Sequence, residues 1–235
     1  MRSRGLAPTA AGGPHDGRRA KWSRFDLAVT GLGCLLLVVL LGLVVGPHAS
    51  GPDRDVKRIL REPLDERPYR RAVRILATET GWPHASYAMA ALPVALAGAL
   101  LVYDLQWRAR QVRIAAWRWL LPTLLALPAQ HLLRVLFDRA GPSVPMWSEG
   151  TRGAYPSGAA LAVALGWTVG GVIAGDLRPR WRPVLLAAAA LGLGLHAVAR
   201  VAAQKHWATD IIGSYLLVGG ALLCAAAARS SSSGE

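Results

Sequence analysis

Residues 199–220 read ARVAAQKHWATDIIGSYLLVGG, so Arg200, Lys205, His206 and Asp210 stand together between two long apolar runs. Ionisable groups at membrane depth are costly and mark function by default. The spacing suggests the chemistry. His206 and Asp210 are four residues apart, which on a helix puts them on one face. A carboxylate placed there holds one ring nitrogen of the imidazole and leaves the other free to attack as a nucleophile. Arg200 supplies the forked donor that suits phosphate-like oxygens. A second cluster, Pro156-Ser157-Gly158, precedes another apolar run. Ser157 fits an N-cap, Gly158 leaves the backbone N–H groups unobstructed, and a helix N-terminus facing a pocket is an anion site. A third cluster, RVLFDRAGP, offers Arg134 and Arg139. By contrast, Lys205 reads as an interfacial snorkelling residue. His131 and His196 read as partners in ordinary interhelical hydrogen bonds.

These clusters need elements that bring them together. Of the 235 residues, 53% are hydrophobic, and they fall in blocks. Six blocks reach the ~20 residues that a helix needs to cross a bilayer, at 27–46, 86–105, 116–136, 157–175, 183–203 and 208–228. In lipid each must satisfy its own backbone, so helices are expected. The expected fold is all-α: a polytopic membrane protein whose six transmembrane helices form one bundle over 26–228. The first segment reads as an uncleaved anchor, since its apolar run is too long for a signal peptide. Gly166, Gly170, Gly171 and Gly175 carry the small-xxx-small spacing of helix packing.

The net charge of +13 is distributed in a way that argues against nucleic acid and for a membrane orientation. Arginines crowd before segment one, around the link between two and three (Arg108, Arg110, Arg113, Arg118), and between four and five (Arg178, Arg180, Arg182). The positive-inside rule makes these regions cytoplasmic, and both termini with them. Eight of the nine tryptophans sit at segment ends or in loops, as in an aromatic belt, and Trp167 alone lies within a span. Cys34 and Cys224 lie inside apolar segments, so no disulfide framework is implied. Three lysines against twenty-four arginines point to a GC-rich bacterium.

With this orientation, segments three and five end, and segments four and six begin, on the extracytoplasmic side. All three polar clusters then share one membrane face. The loop 47–85 lies on that side too, with many arginines nearly balanced by Asp53, Asp55, Glu62, Asp65, Glu66 and Glu79. Its short apolar periodicity (Val56, Ile59, Leu60) predicts amphipathic helices lying on the surface, broken by Pro63 and Pro68. Residues 1–25 and 229–235 read as disordered tails.

At these residues the sequence resembles the type 2 phosphatidic acid phosphatase (PAP2) superfamily of membrane lipid phosphatases. That family shows the motifs Lys-x6-Arg-Pro, Pro-Ser-Gly-His and Ser-Arg-x5-His-x3-Asp. The resemblance spans roughly residues 116–220, and its third motif is matched by Arg200, His206 and Asp210 in type and spacing. It implies that His206 attacks phosphorus to form a phosphohistidine, that Asp210 orients it, and that Arg200 binds phosphate. It implies a lipid phosphate or diphosphate substrate, a bacterial cell membrane, and no cofactor or metal.

The other motifs depart from the family. Arg134 stands where the family has lysine, and Gly141 where it has an arginine ligand that Arg139 is placed to replace. Ala199 replaces the serine of the third motif, and Ala159 replaces the histidine that protonates the leaving group. General acid catalysis is worth ~10²–10⁴-fold. A lipid diphosphate expels a phosphate monoester, with a second pKa of ~6, and needs that proton least. The expected substrate of an active protein is therefore a diphosphate such as a polyprenyl diphosphate. Glu149, His84 and His48 are the candidates for a substitute acid. Two readings stay open: an extracytoplasmic lipid phosphatase or diphosphatase, and a catalytically impaired relative that binds lipid phosphates or protein partners.

Overall fold

Ser23 and Asp26 close a reciprocal cap ahead of the first apolar run: Ser23 Oγ accepts the Asp26 N–H, and the Asp26 carboxylate accepts the Ser23 N–H, both at 3.0 Å. Helix α1 follows over Arg24–Val45. The computed structural model describes residues 22–46, 50–62, 68–71, 102, 125–142, 153–177 and 179–229. Beyond α1 these hold α2 (Gly51–Arg61), α3 (Leu125–Phe137), α4 (Gly158–Leu177), α5 (Arg182–Ala202) and α6 (Ala208–Arg229). No strand occurs among the described residues, so the protein is all-α as expected. Three helical stretches, Arg24–Val45, Pro179–Ala202 and Ala208–Ala228, are long and apolar enough to cross a membrane. The bounds of α1, α4, α5 and α6 fall within three residues of the expected segments. The second expected segment, 86–105, lies outside the described residues apart from Val102.

Helices α1 and α6 pack antiparallel at close range. A Cβ on Gly31 would lie 2.7 Å from Cys224 Sγ and 3.0 Å from the Gly220 carbonyl oxygen; one on Gly220 would lie 2.9 Å from the Gly31 carbonyl oxygen. Between membrane helices such contact depends on small residues, because lipid is as apolar as any side chain. Further along, the Arg24 Nε–H donates to the Ala227 carbonyl at 3.3 Å, so the start of α1 and the end of α6 share one end of the bundle. The opposite flank of α1 (Leu32, Leu36, Leu43, Val44) is exposed, as a lipid-facing surface is. Gly31→Leu is expected to destabilise the bundle by about 1–3 kcal/mol through overpacking, read as a lower Tm in detergent. The glycines singled out in α4 behave unevenly: Gly166 and Gly170 are buried, but a Cβ on Gly171 would meet nothing within 4 Å.

Helix α2 begins at Ser50, whose Oγ accepts the Asp53 N–H at 3.2 Å and donates to the Asp53 carboxylate at 2.9 Å. Its apolar residues do not all behave as a membrane-surface helix requires. Val56 and Leu60 pack inward on Ala160, Val201 and Ile211 from α4, α5 and α6, while Ile59 stays exposed. This face docks on the bundle, and Asp53 lies on the same buried side of the helix.

Tyr155 ties the other elements to this end of the bundle. It is fully buried, its ring meets Phe137 of α3 edge-on at 5.5 Å, and its hydroxyl donates to the Val38 carbonyl of α1 at 2.5 Å. Gly213 of α6 leaves room for the ring, since a Cβ there would lie 2.6 Å from it.

Candidate functional site

The start of α6 sets the central pair. Trp207 precedes the helix, and its N–H donates to Asp210 Oδ2 at 2.9 Å, so Asp210 reaches back across the first turn. That reach brings the same oxygen to 3.4 Å from His206 Nδ1. His206 lies ahead of the helix, not on it, so the pair meets through the cap and not through the shared helical face that its spacing suggested. The separation is long for a hydrogen bond. Asp210 is fully buried and the His206 side chain is 15% exposed, so the ring is the part open to a ligand.

Around this pair the structure gathers most of the residues singled out in the sequence. Ser157 is the N-cap of α4, its Oγ accepting the Ala160 N–H at 3.3 Å. It is clamped to α6 in turn: the Ser157 N–H donates to the Asp210 carbonyl at 3.1 Å, and Ser214 Oγ donates to both the Ser157 and Asp210 carbonyls at 2.9 Å. The N–H groups at positions 158 and 159 have no intrahelical acceptor, and the contact with Asp210 sets this helix end beside the start of α6. Arg134, at the exposed end of α3, donates to the Gly153 carbonyl at 2.5 Å, and its Nη1 lies 3.8 Å from where a Gly158 Cβ would be. Arg200, at the end of α5, completes the ring of cations. Burial chiefly pushes the His206 imidazole below its ordinary pKa; Arg200 and Arg134 add to this, and Asp210 pulls upward without overcoming it. The neutral ring is favoured.

Arg139 goes elsewhere. Asp138 takes a left-handed turn (φ 37°) just after α3 and sends the next side chain inward. Arg139 is 1% exposed, and its guanidinium donates to Asp210 Oδ1 at 2.7 Å, Asp53 Oδ2 at 2.7 Å and Thr209 Oγ1 at 2.6 Å. The expected substitute phosphate ligand is instead an ion-pair partner of two buried carboxylates. Thr209 closes the group, its N–H and hydroxyl donating to Asp53 at 2.8–3.1 Å. Burial opposes ionisation of Asp53, but donors from Arg139, Thr209 and Ser50 outweigh it and hold the carboxyl below its ordinary pKa. Arg139→Met would strand two buried carboxylates and is expected to cost about 3–5 kcal/mol, measurable by denaturant titration in detergent.

Several of these residues escaped the sequence reading. Asp53 looked like one of six acids balancing a basic loop, although Ser50-Gly-Pro-Asp53 is a helix-start signal that would have placed it. Gln130, whose Nε2 donates to the Pro156 carbonyl at 3.0 Å, carried no signal at all. His196 is fully buried near the site, while His131 is exposed and makes no interhelical hydrogen bond among the described residues. Glu149, His84 and His48 lie outside the described residues.

Beside the site, Arg54, Lys57, Arg58, Arg61 and Glu62 of the α2 region line a cavity of about 540 Å³ with Trp207. Lys57 Nζ sits 5.2 Å over the Trp207 ring, and the Arg139 guanidinium 5.9 Å from it. This cavity, with Trp207 in its wall, is strongly cationic, which draws anionic ligands.

No family model and no curated protein matches the chain. Among solved structures it is similar to the crystal structure of a transmembrane PAP2-type phosphatidylglycerolphosphate phosphatase from Bacillus subtilis, at 15% identity and a TM-score of 0.57. The match covers 88% of this chain and 98% of that one. At this identity the likeness establishes a shared fold, that of a multi-pass helical membrane protein.

Proposed function

We propose that the protein is a lipid phosphate or diphosphate phosphatase acting at the extracytoplasmic face of a bacterial membrane, through a phosphohistidine at His206. The observation that carries this is a largely buried histidine, backed by a buried aspartate and flanked by Arg134 and Arg200, with the α4 N-cap Ser157 bonded to the Asp210 backbone. With its Nδ1–H directed at Asp210, His206 presents Nε2 to phosphorus. The Nε2–P bond forms as the bond from the terminal phosphorus to the leaving oxygen breaks (the bridging oxygen in a diphosphate, which departs on the lipid monophosphate), and that oxygen takes the electron pair. Water then cleaves the P–N bond and frees inorganic phosphate. Arg134, Arg200 and the N–H groups following Ser157 hold the equatorial oxygens. The shared fold with a PAP2-type phosphatase supports the reading, and the arginine distribution supports the orientation.

Ala159 on the first turn of α4 leaves no acid at that position, which favours a leaving group that departs unprotonated. A polyprenyl diphosphate is therefore the proposed substrate class. The same alanine, with Arg139 committed to carboxylates, also favours the second reading, a relative that binds lipid phosphates without turning them over. Phosphate release in detergent without added metal separates the two. The expected order is polyprenyl diphosphate well ahead of polyprenyl monophosphate and phosphatidic acid. No release from any of them by folded protein would leave the binding reading standing.

A further inference from the structure

Asp53, Arg139 and Asp210 form one buried chain of charge running from α2 through the loop after α3 to the histidine: 2.7 Å from Asp53 to Arg139, 2.7 Å from Arg139 to Asp210, and 3.4 Å on to His206. All three members are at most 1% exposed, so water does not screen them. The arrangement looks self-defeating at the catalytic end. An aspartate backing a nucleophilic histidine works by its negative charge, which stabilises the positive charge the ring develops as Nε2 bonds to phosphorus. A guanidinium on that aspartate cancels the charge. Here a second carboxylate takes the other side of the guanidinium, and among the described residues two carboxylates against one cation leave the cluster with one net negative charge.

We propose that Asp53 is a positioning residue of the active site: by occupying Arg139 it returns a net negative charge to Asp210 at the edge of the His206 ring, while Arg139 fixes the Asp210 carboxylate in place. The inference rests on the reading of His206 as nucleophile. It gives α2 a function: the helix delivers the balancing charge, held by its Ser50 cap and by Thr209, which bridges Asp53 and Arg139. A helix that undocked would carry Asp53 away and leave Arg139 to neutralise Asp210.

Among the described residues, the charged and titratable groups that face His206 are Asp210 on α6, Arg200 and His196 on α5, and Arg134 on α3. All except Asp210 are cationic or can become so. The cluster behind Asp210 is therefore the sole negative contribution among the described residues, and its net charge decides how readily the ring becomes cationic.

Asp53→Asn keeps the shape and removes the charge. The expected result is a fall of about tenfold in kcat with KM little changed, and a displacement of the His206 titration to lower pH by about one unit. The direction follows from the charge: a cluster at zero no longer favours the imidazolium, so the ring gives up its proton at lower pH and attacks less readily. The titration is read in the full-length protein by NMR of ¹³C-labelled histidine, assigned by its loss in His206→Ala, and it needs no turnover. Thr209→Val, which loosens the same contacts without changing charge, is expected to leave the titration in place. The double variant Asp53→Asn with Arg139→Met restores one net negative charge and is expected to titrate like the parent. It leaves Asp210 with the Trp207 N–H as donor, whereas in Asp53→Asn alone Arg139 keeps Asp210 as its ion-pair partner, so the single variant is the less perturbing of the two. A His206 titration unmoved in Asp53→Asn would overturn the proposal. So would a double variant that titrates with Asp53→Asn, since the net charge of the cluster would then not govern the ring. Should the titrations move as expected while no phosphohistidine ever forms, the charge relay stands and the phosphatase reading falls.

Discussion

His206→Ala is expected to reduce phosphate release by at least ~10⁴-fold, to the level of the detergent blank, while leaving lipid phosphate binding nearly intact. The separation of the two effects follows from the site. The groups assigned to phosphate, Arg134, Arg200 and the α4 N-terminus, stand on three other elements, and none is held by His206 through a hydrogen bond. Asp210 keeps its fixed position through the Trp207 N–H and Arg139 when the ring is gone. Removing the imidazole therefore deletes the nucleophile and little else, and the protein should fold as before. The measurement is a single-turnover reaction with ³²P-labelled substrate, quenched in alkali. The parent should show protein-bound label that survives base and is released by acid, as a phosphoramidate is. The variant should show none. Release that persists in the variant would mean a different nucleophile, and label that forms without His206 would remove it from the mechanism.

How much of this was legible beforehand differs by element. Four of the helices could be placed within a turn because hydrophobic blocks of bilayer length leave the chain few other options, and the polar clusters at their ends then had to share a face. Arg134, Ser157, Gly158, Arg200, His206 and Asp210 do converge, because each lies at or beside a helix end. Arg139 shows where counting fails. Its sequence position, two residues from the family's ligand, is right for phosphate, yet a single left-handed residue at Asp138 turned the side chain into the protein. Asp53 was harder still: its partner is 86 residues away, and nothing in a local pattern announces a long-range ion pair. The pairing of His206 with Asp210 was anticipated for a reason that does not hold, since the helix starts two residues after His206 and a capping contact does what the helical face was expected to do.

The largest gain is expected from Ala159→His. The position is the second residue of α4, immediately after Gly158, whose surroundings include Gln130 Nε2 and Arg134 Nη1 within 4 Å of an added Cβ. An imidazole there would stand at the helix N-terminus among cations, on the side where the departing oxygen must leave. Supplying a general acid accelerates a step limited by proton delivery by ~10²–10⁴-fold. The effect should depend on the substrate. A phosphomonoester expels an alkoxide and should gain most of that factor, whereas a diphosphate expels a phosphate monoester, with a second pKa of ~6, and should gain little. The ratio of kcat/KM for phosphatidic acid against polyprenyl diphosphate is thus expected to rise by about two orders of magnitude, with an acid-favouring pH dependence appearing only for the monoester. Equal gains on both substrates would show that Ala159 limits something other than leaving-group protonation. No gain on either, with the variant folded and binding phosphate, would place the acid elsewhere in the chain and make the alanine a settled feature of the site.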